Sequence, residues 1–176
     1  NYEEGILTAY RDLPEADVII FNIGNRPAHW GDMPKKLGYL DLMHVASWQI
    51  SFKRESIVNN NVYFDEHMGA GSGNGAEEEF RFLTDCRKNG LAIYYVPFVI
   101  ADVAQTKSTW FKGYNEEFFI NRGNTTRYIM GYVPAVLYAA YYSIRKRHQF
   151  DSDISWFKAF RLIMKGIHEN RLGKKK

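Results

Sequence analysis

Cysteine is nearly absent from the chain: Cys86 stands alone, so no disulfide can form within it. This excludes the small disulfide-stabilised secreted folds and is typical of a protein in a reducing compartment. Long apolar runs are absent as well, because the longest uncharged stretch, residues 128–144, only reaches the lower limit of a membrane-spanning helix. The five histidines lack the spacing of metal ligands, and the sequence has no internal repeat.

What is present describes a folded protein of ordinary domain size. Of the 176 residues, 45% are hydrophobic and 24% are charged, a balance that excludes intrinsic disorder. Aromatic residues are frequent, with 12 Tyr, 12 Phe and 4 Trp, which suits either stacking on sugar rings or the filling of an aromatic core. The formal charge is only +3, but there are eleven Lys and Arg and three Asp and Glu from Arg127 onward. The basic character therefore lies in the C-terminal part.

The order of elements predicts a mixed α/β protein. Residues 17–23 form a continuous apolar run, typical of a strand covered on both faces, and residues 48–53 alternate as a second strand. Pro97 is expected to divide the later apolar stretch into strands 91–96 and 98–103. Helices are expected at residues 2–11, 56–61 and 76–89, within 113–122, and at 128–144 and 154–170.

The region from Phe64 to Pro97 carries the most informative motifs. It reads Phe64-Asp65-Glu66, a glycine-rich loop at 69–75, the acidic helix start Ala76-Glu77-Glu78-Glu79-Phe80, and later Tyr95-Val96-Pro97 on a strand. In this order the motifs resemble the second half of the inverting family 2 glycosyltransferases, which have the GT-A fold. The resemblance covers roughly residues 1–125.

The resemblance implies a partial GT-A fold, with a mixed sheet and flanking helices. Residues 1–126 would be the acceptor-side half of the transferase domain, and residues 127–176 a basic helical extension. In the family an Asp-x-Asp element binds the donor diphosphate through a metal, and none lies where it is needed; Asp151-Ser152-Asp153 in the tail is a chance match. We therefore expect the donor-binding half to lie outside this chain, which would be an inactive fragment by itself.

The resemblance also implies a catalytic base. Inverting transfer needs a group that takes the proton of the acceptor hydroxyl, and an Asp or Glu within hydrogen-bond reach can supply it. Matching the family motif on Gly75 and Phe80 places Glu77 at the base position, with Ala76 where the family usually has another acid. A shifted register would make Glu78 the base instead. The alternative is structural, because the helix dipole stabilises carboxylates in a first helical turn.

Further candidates belong to the acceptor site. In relatives of this family the Phe-Asp-Glu segment helps to shape that site, so Asp65 and Glu66 are candidate acceptor-binding residues. The alternative is that Phe64 packs in the core and Asp65 caps a turn. Trp30 beside Asp32, and Trp110, are loop aromatics with polar neighbours. They suit sugar stacking and hydrogen bonding or, equally, the anchoring of their loops.

Donor and metal contacts follow from the resemblance in the same way. Asp102, after the Tyr-Val-Pro strand, is a candidate ligand for a Mn or Mg ion, most of whose ligands would lie outside this chain. An ordinary strand-end Asp is the alternative. Arg122 and Arg127 are candidates for binding the diphosphate of a nucleotide-sugar donor, as basic groups late in the sequence do in some relatives.

The C-terminal part indicates an anionic membrane surface as a partner. Residues 128–144 are uncharged and contain five Tyr, Arg145-Lys146-Arg147 follow directly, and residues 154–170 form an amphipathic basic helix. Tyr and basic residues favour the headgroup region of a bilayer. The alternative is that both helices pack on the domain or on another subunit. No nucleic-acid-binding motif accompanies the charge, so no nucleic-acid partner is expected.

The resemblance therefore implies an inverting glycosyltransferase, and with the C-terminal features we expect it to act in surface polysaccharide synthesis. It would move a sugar from a nucleotide-sugar donor to a glycan or a lipid-linked acceptor. It would be cytoplasmic and lie peripherally at the inner face of the cell membrane. The alternative is a non-catalytic glycan-binding or assembly module that kept the fold and lost the chemistry.

Overall fold

The computed structural model describes residues 1–24, 30–69, 72, 77–104 and 113–174. The chain divides into two compact units, one made of Asn1–Met68 and Glu77–Lys107, the other of Gly69–Ala76 and Ser108–Lys176. The described helices and strands, in chain order, are α1 (Tyr2–Asp12), β1 (Val18–Ile23), β2 (Lys35–Lys36), β3 (Ile50–Phe52), α2 (Arg54–Asn59), α3 (Glu78–Lys88), β4 (Ile93–Ala101), α4 (Glu116–Met130), α5 (Tyr132–Arg145) and α6 (Trp156–Glu169).

The first unit is built on a four-stranded sheet with the order β2-β4-β1-β3. Its two central strands, β1 and β4, are parallel, with Val18 opposite Ile93. The edge strands β3 and β2 run antiparallel to β1 and β4, respectively. The protein is therefore mixed α/β, with a mixed sheet and flanking helices, as the sequence predicts.

Strand β1 lies at the centre of the hydrophobic core. Its residues Val18 to Phe21 are completely buried. Ile19 and Phe21 pack with Ala9 of α1 on one face of the sheet. Because successive side chains of a strand alternate between faces, Val18 and Ile20 point to the opposite face. The prediction of a strand covered on both faces is confirmed.

Pro97 does not divide the last strand, and this prediction is wrong. Strand β4 runs from Ile93 to Ala101 and passes through the proline. Val96 is opposite Phe21, but the next paired residue, Val99, is opposite Asn22, so two residues of β4 bulge out of the ladder. A residue in a bulge needs no ladder hydrogen bond, which accommodates a proline that has no N–H to donate.

The strand predicted at residues 48–53 is shorter in the structure. A 3₁₀ turn occupies Ser47–Gln49 and shortens β3 to Ile50–Phe52. The Gln49 side chain stabilises this turn, because its Oε1 accepts from Ala46 N at 3.1 Å and its Nε2 donates to Phe21 O at 2.9 Å. Helix α3 ends as predicted, with Gly90 at a φ of 80° after the C-terminal turn.

The second unit contains α4, α5 and α6. The sequence predicts one helix at residues 128–144, and this prediction is wrong. Helix α4 continues to Met130, and α5 begins at Tyr132. Gly131 between them has φ 86° and ψ 178°, a conformation that favours glycine. The boundary expected between residues 126 and 127 thus falls inside α4. No helix in the described part of the chain is both long and apolar enough to cross a membrane.

Helices α4 and α6 pack closely through two glycines. A Cβ on Gly123 would overlap the carbonyl oxygen of Ile163, and a Cβ on Gly166 would overlap that of Ile120. Buried Asn124 extends this contact, since its Oδ1 accepts from Arg171 N at 2.8 Å. The C-terminal helices therefore form a core of their own.

Candidate functional site

The carboxyl ends of β1 and β4 lie side by side, which is where parallel strands usually bind ligands. Gly24, just after β1, donates its N–H to Ala101 O at 3.0 Å, at the end of β4. A Cβ on Gly24 would overlap the carboxylate of Asp102. The glycine therefore allows Asp102, the candidate metal ligand, to lie against the end of β1.

Asn22 brings a polar group to this edge of the sheet. The hydroxyl of Tyr95 lies 2.9 Å from Asn22 Oδ1 and 3.0 Å from Gly31 O. Burial raises the pKa of Tyr95, the hydrogen bond to Asn22 lowers it, and the charge of Asp32 raises it again, so that the net direction is upward. Tyr95 therefore remains a neutral hydroxyl. Asn22 was not among the candidates, although a lone polar residue within an apolar strand is a signal that could have found it.

The Trp30 side chain is held by a ring contact and by a hydrogen bond. Its ring lies 5.2 Å from the ring of Tyr95, centroid to centroid, and its Nε1 donates to Asp41 Oδ1 at 3.1 Å. Burial alone would raise the pKa of Asp41, but hydrogen bonds from Gly38 N and Lys35, the charge of Lys35, and the bond from Trp30 lower it below the ordinary value. These contacts agree with a Trp that fixes its loop. Asp32 is exposed.

Glu77 has an unusual backbone at the start of α3. It is the N-cap residue and has φ 70° and ψ 18°, in the left-handed region that non-glycine residues rarely adopt. Its carbonyl accepts from Arg81 N at 3.0 Å, the first bond of the helix. One carboxylate oxygen, Oε2, is buried. Since strain of this kind costs roughly 1–3 kcal/mol and clusters at functional sites, Glu77 is the most informative residue of this region.

The two following glutamates differ from Glu77 and from each other. Burial raises the pKa of Glu78, and the neighbouring charge of Glu79 raises it further. Burial and repulsion thus outweigh the stabilisation that a helix N-terminus gives to a carboxylate. Glu79 has a structural contact, because its Oε1 accepts from Ser47 N at 3.2 Å.

The Phe64-Asp65-Glu66 segment packs against α3. Phe64 stacks on Phe82 with ring centroids 4.3 Å apart and planes 4° apart. Asp65 Oδ1 accepts from His67 N at 2.9 Å, and Asp65 O accepts from Met68 N at 2.9 Å, so Asp65 begins a tight turn. Glu66 is exposed. The structural alternative for Asp65, a turn cap, is therefore present. Phe64 is 44% exposed and stacks on Phe82 from outside, so it does not pack in the core.

A polar cavity of about 310 Å³ lies between this segment and α3. Arg81 and Asp85 line it from the helix, and Arg81 Nε lies 2.7 Å from Asp85 Oδ2. Asn61, Val62, Tyr63, Asp65 and Asn89 complete the lining. Glu77 is not part of the lining; only its backbone contacts a lining residue, since its carbonyl accepts from Arg81 N. Sequence reasoning missed Arg81.

The remaining candidates are not brought to this cavity by any contact that the structure records. Among the described residues, no group of three or more His, Cys, Asp or Glu is arranged to hold a metal ion. Asp102 alone offers a single carboxylate, so these residues by themselves do not form a divalent-cation site. Trp110 and most of the 69–75 loop lie outside the described residues.

The two candidate diphosphate ligands belong to the second unit and are held by aromatic side chains there. The Arg122 guanidinium donates to Tyr138 OH at 2.6 Å and lies 4.5 Å from the ring centroid of Tyr142. The Arg127 guanidinium lies 5.0 Å from the ring centroid of Tyr132. These contacts give both arginines a structural role, and diphosphate binding stays a prediction.

Comparisons with known proteins give no family for this chain: no protein-family model matches it, and no curated protein does.

Proposed function

We propose that this chain is the acceptor-side part of an inverting glycosyltransferase that acts in surface polysaccharide synthesis. The donor would be a nucleotide sugar, and the acceptor a glycan or a lipid-linked glycan. The donor-binding part would lie outside these residues, together with most ligands of a Mn or Mg ion, of which Asp102 would supply one. The proposal rests on the resemblance of the motifs from Phe64 to Pro97 and on the conformation of Glu77.

The strained backbone of Glu77 is the observation that carries the proposal. Glycine adopts the left-handed region because it has no Cβ, and asparagine because its short side chain can bond the local backbone. Glutamate has neither advantage in general, so the backbone of Glu77 is strained at the position where the helix begins. The residue begins the helix whose side lines a polar cavity with Asp65. A carboxylate so fixed suits a base that must meet one hydroxyl in one orientation.

The Glu77 carboxylate takes the proton of the acceptor hydroxyl as its oxygen forms a bond to the anomeric carbon of the donor sugar. The bond between that carbon and the diphosphate breaks, and the nucleoside diphosphate leaves with the electron pair. Asp65 and Glu66 would position the acceptor, with Trp30, Asp32 and Trp110 as further acceptor contacts. Arg122 and Arg127 would approach the diphosphate. Glu78 is the alternative base.

We place the enzyme in the cytoplasm, peripherally at the inner face of the cell membrane, where lipid-linked acceptors are exposed. A second candidate function is a glycan-binding module without catalysis. The cavity favours it, because an exposed Tyr63 beside Asn61, Asn89 and a paired arginine can bind a sugar without any reaction.

The test compares two glutamate variants of the full-length protein. A panel of UDP-, GDP- and dTDP-sugars is offered with a membrane lipid extract as acceptor, and released nucleoside diphosphate is measured. Glu77→Gln should lower transfer by about 10²–10⁴-fold, the usual contribution of a general base, and Glu78→Gln should stay within a few-fold of the wild type.

The other possible results of this comparison distinguish Glu77 from Glu78 and catalysis from binding. Loss in Glu78→Gln alone would move the base to Glu78. Full activity in both variants would remove the start of α3 from the chemistry. If the full-length wild type transfers no sugar but binds oligosaccharides, the glycan-binding module is the better description.

A further inference from the structure

Helix α5 is apolar on the side that faces solvent as well as on the side that faces the core. Its buried side consists of Ala135, Tyr138, Ala139, Tyr142 and Ser143. On its outer side, four apolar side chains at helical spacing are between 52 and 67% exposed: Val133, Leu137, Tyr141 and Ile144. We call these four residues the outer stripe. A helix that is apolar all round is usually covered all round, so the outer stripe requires a partner.

Two further exposed aromatic residues lie at one end of this stripe. The ring of Tyr132, at the start of α5, lies 5.9 Å from that of His168, near the end of α6. The ring of Tyr142, near the end of α5, lies 5.9 Å from that of Phe150, which precedes α6, so the two helices are antiparallel. Ile144, at the end of α5, is therefore near the start of α6. There Trp156 and Phe157 are 46 and 56% exposed and pack edge to face. Aromatic side chains of this kind favour the boundary between lipid and water.

Basic residues border the apolar surface. Arg145, Lys146 and Arg147 follow the outer stripe directly, and Lys158, Arg161 and Lys165 are on the exposed side of α6. Glu116 pairs with Lys158 at 2.6 Å and Glu169 with Lys165 at 3.9 Å. Even so, residues 132–169 contain six Lys and Arg and only three Asp and Glu, so this surface is complementary to an anionic one.

We propose that the outer stripe, with Trp156 and Phe157, docks on an anionic lipid membrane. The outer stripe would enter the interface between headgroups and acyl chains, and the basic residues would contact lipid phosphates. A second copy of the chain fits less well, because each surface carries a net positive charge and two of them would repel each other. The proposal concerns the second unit alone and does not depend on the proposed reaction.

The experiment is co-sedimentation of the full chain with vesicles. In 0.1 M NaCl the wild type should bind vesicles of equal parts phosphatidylglycerol and phosphatidylcholine at least about tenfold more tightly than phosphatidylcholine alone. The double variant L137E/Y141E should lose at least about tenfold in affinity. Leu7→Glu is the matched control, since Leu7 is an exposed apolar residue of α1 in the first unit, and its binding should equal that of the wild type.

A second measurement needs no charged variant and so remains informative if L137E/Y141E does not fold. Dibrominated lipids in the same vesicles should quench the Trp fluorescence of the wild type, and Trp156→Phe should lose most of this quenching. Equal sedimentation of L137E/Y141E and wild type, or quenching that survives in Trp156→Phe, would overturn the proposal. The proposal would also be overturned if the wild type formed a soluble dimer and bound no vesicles, and L137E/Y141E lost that dimer. Glu77→Gln should bind vesicles like the wild type, which separates this proposal from the catalytic one.

Discussion

Phe64 and Phe82 stack face to face, with ring centroids 4.3 Å apart and planes 4° apart. The pair joins the Phe64-Asp65-Glu66 turn to α3, so two segments of the sequence motif are held together by one contact. Phe82 is buried, and Phe64 is partly exposed. The contact therefore positions Asp65 beside the cavity as well as stabilising the first unit.

Phe64→Ala should destabilise the fold by about 1–2 kcal/mol, because it removes an aromatic pair and part of the buried apolar area. Phe64→Tyr keeps the ring and should be neutral within about 0.5 kcal/mol. Urea denaturation followed by circular dichroism measures both. If Phe64→Ala is as stable as the wild type, the stack does not hold the turn in solution.

Glu77→Gly tests whether the left-handed conformation is retained for stability or for another reason. Glycine adopts this conformation without strain, so the free energy of unfolding should stay the same or rise by up to about 1 kcal/mol, while transfer by the full-length protein is lost. Asn61→Gly, at φ 51°, is the control. It should change the free energy of unfolding by about 0.3 kcal/mol at most, because asparagine tolerates the left-handed region. Strong destabilisation in Glu77→Gly would make Glu77 a structural residue.

The central strands could be predicted from the sequence because burial on both faces leaves a continuous apolar run. Residues 17–23 show this directly. The passage of β4 through Pro97 could not be predicted, because it depends on the register against β1, which a single strand does not encode. The same holds for β2, whose two lysines carry no strand signal and pair with Tyr94 and Tyr95.

The candidate site could be predicted in its motifs but not in its geometry. The acidic helix start points to Glu77, but only the backbone distinguishes it from Glu78, by placing one before the helix and the other within it. The anchoring of Trp30 by Asp41, eleven residues later, is a tertiary contact with no local signal. The break at Gly131 was visible as a glycine but was outweighed by the uncharged stretch around it.

Glu78 gives the stability a pH dependence of defined sign. Its pKa in the folded protein is raised above the ordinary 4.5, mainly by burial and then by the charge of Glu79. The folded state thus holds this proton more tightly, and the associated stability is present below pH 4.5 and is lost as the pH rises through the folded pKa. Relative to the wild type, Glu78→Gln should be more stable at pH 7 than at pH 4.

Solvent screening limits this effect to less than about 1 kcal/mol, because Glu78 is only partly buried. Thermal unfolding at several pH values measures it. Glu79→Gln serves as the comparison, since it removes the charge that adds to the raised pKa of Glu78 while it keeps an oxygen that can accept from Ser47 N; the pH dependence should be smaller in this variant than in the wild type. A Glu78→Gln curve parallel to that of the wild type at all pH values would contradict the raised pKa.

Cys86 should be inert toward thiol reagents in the folded protein. Burial, together with the charge of Asp85, raises its pKa to about 12, and the side chain is completely buried. At pH 8 the thiolate fraction is then on the order of 10⁻⁴, and the thiolate is the reacting form. Dithionitrobenzoate should react with one thiol per chain in guanidinium and with none in buffer within an hour. Rapid reaction in buffer would show that α3 opens readily.

Glycines that separate two backbones should tolerate a methyl group less well than a glycine that faces a side chain. Gly123→Ala would bring its Cβ onto the carbonyl of Ile163, and this backbone contact can be relieved only if α4 and α6 move apart. Alanine gains about 1 kcal/mol in helix propensity, but overpacking costs about 1–3 kcal/mol and more where backbone is involved. Gly123→Ala should therefore destabilise the second unit by at least about 1 kcal/mol.

Gly5→Ala is the matched comparison in α1, because the atoms nearest to its Cβ would belong to the ring of Phe98, a side chain that is 37% exposed and can move, and not to backbone. The gain in helix propensity then offsets the displacement, and stability should change by less than about 0.5 kcal/mol. Urea denaturation of both variants decides the matter. If Gly123→Ala and Gly5→Ala are equally stable, α4 and α6 do not approach each other as closely as the two glycines permit, and the core of the second unit is looser than its geometry indicates.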